Sequence, residues 1–146
     1  MSMLAPQAAS HRCSVLVIDD DADLRELLRV ALVAEGCAVE TVVNGGEALH
    51  YLRSHAETCI ILLDLMLPVL DGTQFRAAQL RDRALAWIPV VVMSASAEGP
   101  ARARELNARG FLQKPLNLDE VRRVVRNIGC RQSSPRYSPT RPASAA

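Results

Sequence analysis

Ser14-Val15-Leu16-Val17-Ile18-Asp19-Asp20-Asp21 decides the fold. One serine and four aliphatic residues, three of them β-branched, form an unbroken run that reads as a strand buried on both faces. Three aspartates end the run. Leu24, Leu27, Leu28, Ala31 and Leu32 then recur along one helical face, so the segment reads as strand, acidic turn and helix.

The same unit repeats outward from it. Gly36 stops the first helix, Ala38 to Val43 forms a second strand, and Asn44-Gly45-Gly46 opens a helix through His55. Thr58 to Leu63 is a third, fully apolar strand ending at Asp64, followed by a loop through Pro68 and Asp71-Gly72 and a helix from Thr73 to Arg83. Pro89 precedes a fourth strand, Val90 to Met93, at a position where proline costs no ladder bond. A helix from Ala101 to Ala108, a fifth strand from Gly110 to Gln113 and an amphipathic helix from Leu118 to Ile128 complete the chain. Five strands alternating with five helices, the central strands apolar on both faces, predict an α/β fold, a parallel sheet covered on both sides by helices. In such folds ligands bind outside the carboxyl ends of the strands, where strand order reverses. The residues at those ends are Asp19, Asp20, Asp64, Ser94 and Lys114.

With 146 residues, 49% hydrophobic and 23% charged, the chain has the size and balance of one globular domain. The domain is expected over 13–130, with unstructured tails at 1–12 and 131–146. The second tail is rich in Ser, Pro and Ala and has three X-Pro steps. The net charge of +1 hides a division, because residues 1–120 hold eleven basic and sixteen acidic residues while 121–146 hold six arginines and no acid. Those arginines read as a solvated surface rather than a nucleic-acid site, since Tyr137 is the only aromatic residue near them. Cys13, Cys37, Cys59 and Cys130 show no Cys-x-x-Cys spacing and read as reduced, mostly buried thiols. Met1 to Ser10 lacks the basic start and apolar run of a signal peptide, and Asp64 and Pro68 break the longest apolar stretch, so a cytoplasmic protein with no membrane contact is expected.

The strand-end residues form a chemical set. Carboxylates converging at one edge repel unless a hard cation neutralises them, and Mg2+ suits a few carboxylates plus water and phosphate oxygens. Helix capping accounts for Asp21 and Asp23. It does not account for Asp64, which ends an apolar strand and precedes a loop. A carboxylate beside Mg2+ can attack phosphorus and form an acyl phosphate. Lys114, the single lysine beside sixteen arginines, offers a compact charge for the phosphoryl oxygens, and Ser94 offers a small hydroxyl.

Val15-Leu16-Val17-Ile18-Asp19-Asp20-Asp21, Leu63-Asp64-Leu65-Met66-Leu67-Pro68-Val69-Leu70-Asp71-Gly72, Val91-Val92-Met93-Ser94-Ala95 and Gly110-Phe111-Leu112-Gln113-Lys114-Pro115 together resemble the receiver domain of bacterial two-component response regulators. The resemblance covers residues 14 to 130. It implies a flavodoxin-like (βα)5 fold with strand order 2-1-3-4-5. It further implies that Asp64 accepts a phosphoryl group from a sensor histidine kinase or a histidine phosphotransfer protein. Mg2+ would be held by Asp19, Asp20, Asp64 and the Met66 backbone carbonyl. Lys114 would pair with the phosphoryl oxygens, Ser94 would move to bond one of them, and Phe111 would turn from exposed to buried. That switch would alter the surface of the fourth helix, fifth strand and fifth helix for an effector protein or a phosphorylation-dependent homodimer. The same likeness implies a cis peptide between Lys114 and Pro115.

The sequence departs from the family pattern at three places. Phe111 stands where tyrosine is commonest, Ser94 where threonine is, and the stretch between them is short and contains Gly99-Pro100. The sixteen residues after Cys130 suit a stand-alone receiver that acts by contact. A receiver is a phosphoacceptor that assists its own phosphorylation rather than an enzyme in the usual sense. Two alternatives differ in class. A haloacid-dehalogenase-type phosphatase would carry Asp-x-Asp, whereas Asp64-Leu65-Met66 lacks the second acid, and an unphosphorylated pseudo-receiver would have lost part of the set that is present here.

Overall fold

The structure, a computed structural model, describes residues 13–67 and 70–129. Both tails, Pro68 and Cys130 lie outside them. Strands β1 (Ser14–Ile18), β2 (Ala38–Val42), β3 (Ile60–Asp64), β4 (Val90–Ser94) and β5 (Gly110–Gln113) form one sheet in the order β2-β1-β3-β4-β5, every neighbouring pair parallel. Helices α1 (Ala22–Ala34), α2 (Gly45–Ser54), α3 (Gly72–Arg81), α4 (Gly99–Glu105) and α5 (Leu118–Val124) alternate with them. The expected fold class and strand order are both observed.

Strand periodicity divides the interior into two cores. Leu16, Ile18, Ile61, Leu63, Val90 and Val92 face one way and pack with Leu49 and Leu52 of α2, Phe75 of α3 and Ala103 of α4. The alternate residues Val15, Val17, Ile60, Leu62, Val91 and Met93 pack with Leu28 and Leu32 of α1 and with Val121 and Val125 at α5. β3 and β4 are buried at every position, which is why their sequences are apolar without alternation. Each such buried side chain contributes about 1.5–3 kcal/mol of transfer free energy.

Four of the five helices start on a side-chain cap. The Asp21 carboxylate accepts from the backbone of Asp23 and Leu24, Asn44 from Glu47, and Asn117 from Glu120, while Asp71 and Gln74 form a reciprocal capping box. At the other end of α1, Gly36 adopts φ +93°, which suits glycine and ends the helix. The exception is α4, which has no side-chain cap and begins with Pro100 in its first turn. It covers Gly99–Glu105 rather than 101–108, because proline is compatible with a helix start and Asn107, at φ 56°, breaks the far end. The last helix starts at Leu118 as expected and ends within a residue of the expected Ile128, but past Val124 it is a π-helical turn over Val125–Gly129. Among the described residues no helix is long and apolar enough to cross a membrane.

A buried polar network ties α3 to its surroundings. Arg76, 6% exposed, donates to the carbonyls of Leu106 and Asn107 at 2.9 and 3.1 Å and to Gln79 Oε1 at 2.7 Å. Gln79 in turn donates to the carbonyls of Leu85 and Ile88, both at 2.9 Å. Carbonyls and an amide oxygen disperse the charge of the guanidinium. Truncating it strands buried acceptors, so Arg76→Ala should lower the unfolding free energy in urea by about 3 kcal/mol. A loss under about 0.5 kcal/mol would show that water replaces the guanidinium freely.

Candidate functional site

The carboxyl edge of the sheet repeats one local device. Asp19 Oδ1 accepts from the Asp21 N–H at 2.9 Å, Asp64 Oδ1 from the Met66 N–H at 3.0 Å, and Ser94 Oγ from the Ser96 N–H at 3.0 Å. In each case a side-chain oxygen at a strand end folds back onto the backbone two residues ahead, the turn that Asp and Ser favour. The turns engage Oδ1 of each carboxylate and leave Oδ2 to other partners. Asp19 and Asp64 are buried beneath the edge, at 0% and 4% exposed, while Asp20 is exposed.

Lys114 enters the space that remains. The Lys114 N–H donates to the Ser94 carbonyl at 2.9 Å as β5 ends beside β4, and the Lys114–Pro115 peptide is cis. The ammonium Nζ then lies 2.8 Å from Asp19 Oδ2 and 3.4 Å from Asp64 Oδ2. Ligand oxygens of Asp19, Asp20 and Asp64 fall within 4.8 Å of one another, close enough to share a small cation. One ammonium for three carboxylates leaves the edge negative, and oxygen-only donors of this kind suit a hard divalent ion.

The electrostatics follow from that crowding. Burial pushes the Asp64 carboxyl above its ordinary 3.8; the Met66 N–H opposes the rise, the Asp19 charge adds to it, and Lys114 opposes it. Burial alone would lower the Lys114 ammonium, but its hydrogen bond to Asp19 and the charges of Asp19 and Asp64 outweigh that and hold it above 10.5.

Ser94 and Phe111 meet at the start of α4. A Cβ built on Gly99 would lie 2.6 Å from Phe111 Cε1, 2.8 Å from Cζ and 3.1 Å from Ser94 Cβ, so the Phe111 ring rests directly on glycine and beside the serine. The ring is already half-buried in this state, packed on the first core, rather than exposed. The missing side chain at Gly99 makes that seat.

All five residues expected at the strand ends therefore gather at one edge. Met66 adds backbone, since its N–H reaches Asp64 while its side chain is 72% exposed. Sequence reading missed two supports. Arg25 Nη1 donates to the Asp19 carbonyl at 2.9 Å and ties α1 to the acidic turn, and no local signal distinguishes it from the other arginines. Gly99 carries no local signal for its contact with Phe111, which depends on how α4 lies over β5.

A parallel sheet in the order 2-1-3-4-5, with carboxylates and a lysine gathered at its carboxyl edge, defines the receiver class of α/β signalling domains. The chain belongs to the response regulator receiver domain family, whose sequence model matches residues 15–126. It is thus a receiver domain of two-component signalling. It is 32% identical over 124 residues to the response regulator Rre1 of Synechocystis, covering 83% of this chain and 53% of that protein. To the transcriptional regulatory protein TcrA of Mycobacterium tuberculosis it is 34% identical over 124 residues, 84% of this chain and 48% of that one. The chain spans about half the length of the curated relatives it matches. Among solved structures, the chemotaxis protein CheY4 of Vibrio cholerae superposes with a TM-score of 0.73 at 26% identity, covering 80% of this chain and 98% of that one.

The raised Asp64 carboxyl sets a pH dependence. An acid that holds its proton more tightly folded than unfolded contributes most stability below about pH 4 and loses it as pH rises through the folded-state value. In Mg2+-free buffer, Asp64→Asn should therefore gain stability over the parent as pH is raised from about 4 to 7, read by urea unfolding. Parallel pH profiles for the two proteins would show that Asp64 carries no such cost.

Proposed function

We propose that this receiver takes a phosphoryl group onto Asp64 from a phosphohistidine on a sensor histidine kinase or a histidine phosphotransfer protein. The observation that carries this reading is the placement of Asp64, buried at a strand end, 3.4 Å from the chain's single lysine and within 4.8 Å of two further aspartates. Asp19 shares these neighbours but is held more tightly by Lys114, at 2.8 Å, which leaves Asp64 the less engaged carboxylate.

In the transfer an Asp64 oxygen attacks phosphorus, a P–O bond forms, and the P–N bond to the donor imidazole breaks with its electron pair leaving on nitrogen. Asp19, Asp20, Asp64 and the Met66 carbonyl would hold Mg2+, which offsets charge on the transferred group. The chain's own groups do the rest. The Met66 N–H fixes the orientation of the Asp64 carboxylate, and Arg25 holds the acidic turn through its backbone. Lys114 supplies positive charge to the phosphoryl oxygens by relaxing its grip on Asp64, while its bond to Asp19 keeps the stem in place. The Ser94 hydroxyl, now accepting from Ser96, is the donor that turns toward the new oxygens.

Phe111 reads that movement. Its ring touches both Gly99 and the neighbourhood of Ser94, so a shift of the serine changes the packing at the start of α4. The readout is then the surface of α4, β5 and α5, offered to an effector protein or to a second phosphorylated copy. The receiver spans 13–130, works in the cytoplasm, and is a phosphoacceptor that assists its own chemistry rather than an enzyme acting on a separate substrate.

With Mg2+ and acetyl phosphate the protein should gain one hydroxylamine-labile phosphate, and Asp64→Asn should abolish it. Labelling that persists in the variant, or none in the parent, would overturn the assignment. A second experiment separates lysine from mere charge. The chain has two phenylalanines, so fluorophenylalanine labelling gives two 19F resonances. Phosphorylation should move the Phe111 signal in the parent but not in Lys114→Arg, whose planar fork does not fit the same gap; an equal shift in both would show that the ammonium geometry is dispensable.

A further inference from the structure

At the opposite edge of the sheet, where strands begin, cysteines occupy three equivalent places. Cys37 directly precedes β2, Cys13 directly precedes β1 and Cys59 directly precedes β3, and the sheet order β2-β1-β3 makes these three starts neighbours. In the sequence they are far apart and match no metal or redox spacing. The crossovers bring them together.

Cys13 and Cys37 are the closest pair by register. Ser14 pairs with Ala38, and the Ala38 N–H donates to the Cys13 carbonyl at 2.8 Å, so the parallel ladder continues to the two cysteines. Neighbouring strands lie about 4.8 Å apart, inside the roughly 4.4–6.8 Å between Cα atoms that a disulfide spans. Both side chains belong to the same buried cluster, which Cys59 shares. None of the three is in a disulfide, and Cys37 is the most open at 8% exposed against 5% for the others.

The surroundings give the two thiols different characters. The hydrogen bond from Cys13 lowers the Cys37 thiol, against burial and the charges of Glu35 and Cys59. Its bonds to Cys37 and Cys59, followed by burial, push the Cys13 thiol well up. Cys59 has a further bond to the Glu57 carbonyl at 3.8 Å. Gly129 closes over Cys13, since a Cβ there would lie 2.7 Å from Cys13 Sγ. An oxidant therefore reaches the pair from the side of Cys37.

We propose that Cys13 and Cys37 are a disulfide-forming pair, a modification site for hydrogen peroxide at the end of the sheet remote from the acidic edge. The Cys37 thiolate attacks one peroxide oxygen, the O–O bond breaks, and the departing hydroxide takes a proton to become water, leaving a sulfenic acid on Cys37. Cys13 sulfur then attacks Cys37 sulfur, the S–S bond forms, and the sulfenic oxygen leaves with the Cys13 proton as a second water. Two thiols lose two electrons and one peroxide is reduced to two waters. The new bond closes a loop that contains β1, the acidic turn and α1, and this inference does not depend on the phosphoryl reading.

The test uses the full chain in native buffer. After hydrogen peroxide treatment and alkylation, peptide mass mapping should find one intramolecular Cys13–Cys37 bond and two of the four thiols still free. Cys37→Ser should keep its three thiols reduced at the same dose, and Cys59→Ser should form the bond at an unchanged rate. A bond from Cys13 to Cys59 or Cys130, a linked dimer, or four alkylated thiols would each overturn the proposal. Mapping of the parent protein decides the matter even where a serine variant folds poorly.

Discussion

One ammonium lies between two buried carboxylates, 2.8 Å from Asp19 and 3.4 Å from Asp64, and the carboxyl edge of the sheet is arranged around it. Neither carboxylate has exposure enough to be solvated by water alone. Removing the lysine would leave two like charges buried a few ångströms apart, a cost of several kcal/mol that the protein would meet by protonating one of them. With the lysine present and Asp20 nearby the edge still carries excess negative charge. On that residue of charge rests the proposal that the edge seats a cation and, through it, a phosphoryl group.

The surrounding fold serves to hold oxygens still. Parallel strands end side by side, so Asp19, Asp64, Ser94 and Lys114 come from four adjacent strands and need no long loop to meet. Three back-folded turns fix an oxygen each, and Arg25 braces the first. On the neighbouring face, α4 is gripped at its far end through the carbonyls of Leu106 and Asn107, which Arg76 holds, whereas its first turn lacks a side-chain cap and rests on Phe111 through Gly99. A helix fixed at one end and lightly seated at the other has a natural place to yield, next to Ser94.

Much of this was legible in the sequence, for reasons that differ by element. β3 and β4 carry only apolar residues up to their last position because both faces are covered, and that pattern has no good alternative reading. The site residues were legible because the ends of such strands are where ligands bind, a rule of topology rather than of local sequence. α4 was placed two residues late because its start depends on Pro100 and its end on a left-handed Asn107, and apolar periodicity reports neither. The π-helical turn after Val124 had no sequence signal. The thiol cluster was hidden for a related cause: Cys13, Cys37 and Cys59 share no spacing, and only the strand order makes them neighbours.

The central claim, that Asp19, Asp20 and Asp64 together exceed what Lys114 can neutralise and so form a seat for one hard cation, is tested most directly by calorimetric titration of the unphosphorylated protein with Mg2+. The account predicts one ion per chain, with affinity reduced at least about tenfold in Asp20→Asn, which removes the exposed carboxylate and leaves the buried pair and the lysine in place. Absence of binding in the parent, or equal affinity in the variant, would contradict it.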